Sequence, residues 1–255
     1  MVAAVLWLTL ALAVLVGVSL GLLGGGGSIL TVPLLVYVAG MEAKEAIATS
    51  LLVVGVTSIA ALVPHARAGR VRWRTGATFG LAAMAGAYLG GRLAAYIPGT
   101  VLLIAFAVMM VATAAAMIRG RRTPPRSTDG SHHLPLGLVL AEGVVVGLVT
   151  GIVGAGGGFL VVPALVLLGG LPMPVAVGTS LLVIAMKSFA GLAGYLSSVS
   201  IDWGLAAAVT AMAVLGSVLG GLLAGRVHQD VLRKAFGWFV LAMGAFVLGQ
   251  SIVTA

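Results

Sequence analysis

The chain has 255 residues, 61% of them hydrophobic and 8% charged, with 38 glycines and a formal net charge of +8. Soluble domains carry about a quarter charged residues, so there is too little polar surface here to coat a water-facing fold. A soluble enzyme or a nucleic-acid binder is thereby excluded, and the basic excess reads as Lys and Arg placed in cytoplasmic loops. With no cysteine, the chain has no disulfide framework, thiolate metal site or thiol nucleophile. The class implied is an all-α polytopic membrane protein.

Taken in chain order, apolar stretches run near 2–23, 28–40, 46–63, 76–96, 100–118, 134–153, 158–170, 175–195, 203–225 and 231–252. Residues 1–23 hold no Lys or Arg; without that basic region the run reads as a first membrane helix rather than a cleaved signal. Eight stretches reach the roughly 20 residues a span needs. Two do not. Stretches 28–40 and 158–170 each follow a glycine cluster and contain a proline, and at 1.5 Å per residue each extends only about 20 Å.

Sliding the chain by 130 residues aligns its halves without a gap. Pro33 meets Pro163, Thr49-Ser50-Leu51-Leu52-Val53 meets Thr179-Ser180-Leu181-Leu182-Val183, and Trp73 meets Trp203. Matched Pro, Trp and Thr-Ser in one register mark a duplication. The organisation expected is a first repeat at 1–118, a linker at 119–133 and a second repeat at 134–255. The linker, RGRRTPPRSTDGSHH, reads as a polar cytoplasmic loop; its His132 and His133 lack the further ligands of a metal site.

Basic residues orient the halves. Connection 64–75 holds Arg67, Arg70, Arg72 and Arg74, whereas its counterpart 196–202 holds Asp202 and no Lys or Arg. Connection 226–234 holds Arg226, Arg233 and Lys234, whereas its counterpart near 97–100 is uncharged. Equivalent loops thus fall on opposite sides, as in inverted-topology repeats of five apolar elements each. Both termini are expected outside. The first two elements of each half can be two crossings or a hairpin that enters and returns.

A helix broken inside the bilayer must line a polar cavity or be buried in protein. Gly24-Gly25-Gly26-Gly27 and Gly154-Ala155-Gly156-Gly157-Gly158 read as two such breaks, each opening a short helix whose first N–H groups and dipole favour an anion. Gly86, Gly90 and Gly91 read instead as close helix packing. The hydroxyls of Thr49, Ser50, Thr179 and Ser180 can donate to an anion or bond back to a carbonyl one turn away.

Two ionisable residues break the symmetry: Glu142 stands opposite Leu12, and Lys187 opposite Thr57. A charge at mid-helix costs about 2.5–3.5 kcal/mol on the insertion scale, which makes both functional candidates. Lys187 suits attraction of an anionic substrate and Glu142 suits carrying a coupling proton; mutual pairing is the alternative. Trp73 and Trp203 suit interfacial anchors, as do His65 and Tyr195, matched at the ends of the third elements. Glu42, Lys44 and Glu45 read as a solvated charge run.

The paired stretches GLLGGGGSILTVPLLVYVAG and GIVGAGGGFLVVPALVLLGG, each followed by A-x-x-TSLLV, resemble the TauE/SafE family of sulfite and organosulfonate exporters over about residues 10–250. The resemblance implies a permease of the bacterial inner membrane for small sulfur-containing anions, without cofactor or metal. It carries over Gly24, Gly26, Gly27, Pro33, Thr49 and Ser50, with Gly154, Gly156, Gly157, Pro163, Thr179 and Ser180. Ala155 against Gly25, and Gly158 against Ser28, depart from an identical pair of sites.

A secondary transporter working by alternating access is the leading expectation. Its partners are a small anion and the lipid bilayer, and a homo-oligomer is left open. A passive anion channel, a transporter of another anion, a membrane-embedded enzyme and a non-transporting assembly factor are the alternatives. An enzyme needs a convergent set of acid, base or metal ligands, which Glu142 and Lys187 alone do not make. No Walker A pattern occurs.

Overall fold

In the computed structural model, residues 2–23, 28–119, 136–154, 157–167, 171–223 and 229–253 are described. Gly24, Gly26, Gly27 and Gly156, and with them most of the linker, lie outside these. The described residues form ten helical elements: α1 Val2–Leu23, α2 Ser28–Val38, α3 Ala43–Arg67, α4 Trp73–Ala94, α5 Gly99–Arg119, α6 Leu136–Val153, α7 Gly158–Leu167, α8 Met173–Tyr195, α9 Trp203–Leu223 and α10 Gln229–Val253. The protein is an all-α, multi-pass membrane protein. The described parts of α1, α3, α8 and α9 are long and apolar enough to cross a bilayer, whereas α5, α6 and α10 contribute shorter apolar stretches.

Both elements expected to be short are short. Element α2 opens with a tight turn at 28–30 and widens into a π-helical stretch, Leu34–Val38, directly after Pro33. Proline offers no N–H to the preceding turn, and such irregular helix persists in a bilayer only when protein encloses it. Leu34 and Leu35 are accordingly buried. Element α7 has ten residues, with Pro163 inside.

Glycine sets how the helices interlock. Helix α1 packs along α9, and α4 along α6. A Cβ at Gly17 would overlap the Ala213 carbonyl, and one at Gly147 would overlap the Ala83 carbonyl. The pairs Gly21–Ser217 and Gly151–Ala87, Gly86–Val144 and Gly216–Val14, and Gly90–Leu148 and Gly220–Val18 behave alike. Each contact is its counterpart moved by 130 residues, with the halves exchanged. Small residues let backbones touch, so the scattered glycines pack helices as expected.

These contacts also give directions. Numbers rise together along both pairs, so α1 runs parallel to α9 and α4 parallel to α6. Helices α3 and α8 pack together but run antiparallel. The Arg72 N–H, just past α3, donates to Thr179 Oγ1 near the start of α8 at 3.0 Å. At the opposite end, Glu42, Lys44 and Glu45 share a groove with Ser198, Val199 and Ser200, which follow α8. Helix α9 starts at this Glu42 end, hence so does α1. Helix α3 starts there too, so α1 and α2 together leave that end and return to it.

Candidate functional site

The second glycine cluster forms the site. Helix α6 stops at Val153, and the chain turns through Gly154 (φ +72°) and Gly157 (φ +60°) before α7 begins. Both values lie in the left-handed region, which costs an L side chain about 1–2 kcal/mol, so glycine is the residue that permits this break.

Lys187 reaches the break from α8. It is 2% exposed, and its Nζ donates to Thr150 Oγ1 at 2.7 Å. Thr150 Oγ1 gives its own proton to the Val146 carbonyl at 2.7 Å, so it meets Lys187 only as an acceptor. A Cβ at Gly157 would overlap both Lys187 Nζ and the Thr150 methyl, which places Nζ against the backbone that opens α7. Leu160 and Val161 N–H groups return to the Gly157 carbonyl, while the N–H groups ahead of them have no acceptor within the helix.

Three positive features therefore converge: the lysine, the free N–H groups and the positive end of the α7 dipole. No carboxylate among the described residues bonds to Lys187. A buried cation without a counter-charge is costly, and an anion is what this arrangement accommodates.

The other expected residues fall in varied places. Ser50 Oγ donates to the Gly154 carbonyl at 2.8 Å and to the Ile47 carbonyl at 2.7 Å, tying α3 to the break. Thr49 is buried with no hydrogen-bond partner among the described residues. Thr179 accepts the Arg72 N–H, and Ser180 bonds back to the Val177 carbonyl at 2.8 Å. The first cluster lies outside the described residues, so whether its helix start faces that of α7 is not seen.

Glu142 and Lys187 are not paired. Glu142 precedes Thr150 by eight residues of α6, about 12 Å of rise, and it is partly exposed. Lys44 is less solvated than expected: its Nζ caps the Ala95 carbonyl at the end of α4, at 2.8 Å. Tyr195 corrects its expected interfacial placement. It is wholly buried, because its hydroxyl finds the Ile152 carbonyl at the end of α6, 2.5 Å away. Trp73 and Trp203 are more than half exposed at the starts of α4 and α9, as membrane-interface anchors are.

Thr150 escaped the sequence reading. Its signal was present, because it stands opposite Leu20 and so breaks the repeat as Lys187 does.

A helical membrane protein with a buried cation at a broken helix belongs among the transporters, where such breaks mark substrate sites. The comparisons agree. The family described as sulfite exporter TauE/SafE matches residues 9–247, and the chain belongs to that family. A "Probable membrane transporter protein" of Xylella fastidiosa (strain Temecula1) is 37% identical over 241 residues, covering 93% of this chain and 92% of that one. One from Methanocaldococcus jannaschii is 28% identical over 262 residues, covering 94% and 96%. No solved structure matches.

Proposed function

We propose that this membrane transporter is a secondary transporter that exports small sulfur-containing anions, such as sulfite or organosulfonates, across the bacterial inner membrane. The observation that carries the anion reading is Lys187, buried without a carboxylate partner and seated at the start of α7. The family description supports the sulfur chemistry. The family is one of transporters, and no catalytic role is proposed.

Alternating access around this site is the mechanism, with residues 1–118 and 134–255 as inverted repeats joined by a cytoplasmic linker at 119–133. Supporting it, α3 and α8 are equivalent under the 130-residue offset and run antiparallel. Arg67, Arg70, Arg72 and Arg74 follow α3 at the end opposite Glu42, Glu45 and Asp202, which fits a cytoplasmic Arg end. Lys187, Thr150, Gly154 and Gly157 hold the anion, with Ser50 bracing the break. Glu142, on the Arg-end half of α6, carries a coupling proton.

Flux of labelled sulfite into proteoliposomes, with and without a pH gradient, tests the reading against a Lys187→Met control. Saturable, gradient-dependent flux that the variant lacks is expected. Unsaturable flux indifferent to the gradient would make the protein an anion channel. Absence of flux from folded protein would remove sulfite as substrate.

A further inference from the structure

The geometry points to Tyr195 as the gate that closes the anion path toward the Glu42 end, its hydroxyl latching the broken end of α6. The last carbonyls of a helix have no intrahelical donor, and Ile152 supplies one of them, one residue before α6 ends. Tyr195 donates its phenol proton to that carbonyl. Its ring heads the wholly buried side chains by size, and Gly91 makes room for it, since a Cβ there would lie 3.2 Å from the ring.

Its place along the path matters as much as its bond. Tyr195 follows Lys187 by eight residues on α8, two turns or about 12 Å toward the Glu42 end. It therefore stands between the lysine site and that side of the membrane. Beyond it lies the groove lined by Glu42, Lys44, Glu45, Ser198, Val199 and Ser200.

The equivalent position in the first half, His65, lies at the Arg end. Its Nδ1 is buried without a hydrogen-bond partner among the described residues, so one end is latched and its counterpart is not. Opening the Glu42 end requires the Tyr195–Ile152 bond to break, with Gly154 and Gly157 as the joints on which the end of α6 swings.

This inference rests on the anion-path reading, and the test separates the two. The chain has no cysteine, so Ser50→Cys places a single thiol at the break. A membrane-impermeant maleimide is applied to vesicles from the Glu42 face and, in inverted vesicles, from the Arg face, with and without Tyr195→Phe. Losing one hydrogen bond of ordinary net strength should raise labelling from the Glu42 face roughly fivefold, without raising it from the Arg face.

Equal rises from both faces would mean general loosening and would overturn the gate. Unchanged labelling from the Glu42 face, with the Arg face reactive, would overturn the gate and leave the path standing. A thiol unreactive from either face, though reactive after denaturation, would overturn both.

Discussion

Lys187 Nζ donates to Thr150 Oγ1 at 2.7 Å, and neither residue has a like counterpart in the other half. Thr57 and Leu20 occupy the positions 130 residues earlier. Thr57 bonds back to the Val53 carbonyl at 2.6 Å, and Leu20 is packed in the core. The duplication thus supplied the scaffold twice and the charge once, so the two halves are unequal in what they offer an anion.

Lys187→Met should consequently weaken anion binding more than folding. A hydrogen bond to a charged group contributes about 1.5–3 kcal/mol, which corresponds to a loss in apparent affinity of roughly tenfold or more. The thermal midpoint should hold or rise, because the variant removes a buried charge that lacks a counter-ion. Concentration dependence of flux and a melting curve check both parts. Unchanged affinity would return Lys187 to a structural role.

Thr150→Val keeps the shape and deletes the acceptor. Lys187 then has no hydrogen-bond partner among the described residues, and stability should fall by about 1–3 kcal/mol. Combined with Lys187→Met, the cost should be clearly less than additive, because the lysine that needed the hydroxyl is gone. Denaturation of the four proteins of the cycle in detergent measures this coupling; strict additivity would show that the hydrogen bond contributes nothing.

Gly157→Leu places a side chain where Lys187 Nζ and the Thr150 methyl already sit, at a φ of +60°. Transport should be lost while membrane insertion persists, as read by flux and by the yield of protein in the membrane fraction. Normal flux would remove the backbone of this break from the site.

How much of this was readable beforehand depended on the range of the interaction. Element existence came from apolar runs, and their bounds were clipped wherever a helix carried charge at its ends. Helix α3 was expected over 46–63 and spans Ala43–Arg67, because Lys44, Glu45, His65 and Arg67 lie within it. Gly86 and Gly90 were read as packing and do pack, against α6. The Lys187–Thr150 bond joins residues 37 apart in sequence, and a lone Thr in GVVVGLVTG resembles any hydroxyl that bonds back to its own helix. Tyr195 looked interfacial because its acceptor, Ile152, is backbone, and no side-chain pattern announces a carbonyl.

The reciprocal glycine contacts make the final prediction, about folding rather than transport. Gly17 and Gly147 meet the carbonyls of Ala213 and Ala83 across equivalent helix pairs, so each holds one half against the other. An Ile at either position would push the helices apart along the whole seam, and overpacking of a tight contact commonly costs 1–3 kcal/mol or more. Both variants should lose folded yield to a similar extent. At Gly249 nothing lies within 4 Å of an added Cβ, and Gly249→Ala should leave the yield unchanged or raise it slightly, since alanine favours helix by about 1 kcal/mol. Monodisperse yield after detergent extraction reports all three. A loss at Gly17 without one at Gly147 would mean that the two seams, though alike in geometry, differ in the stability they contribute.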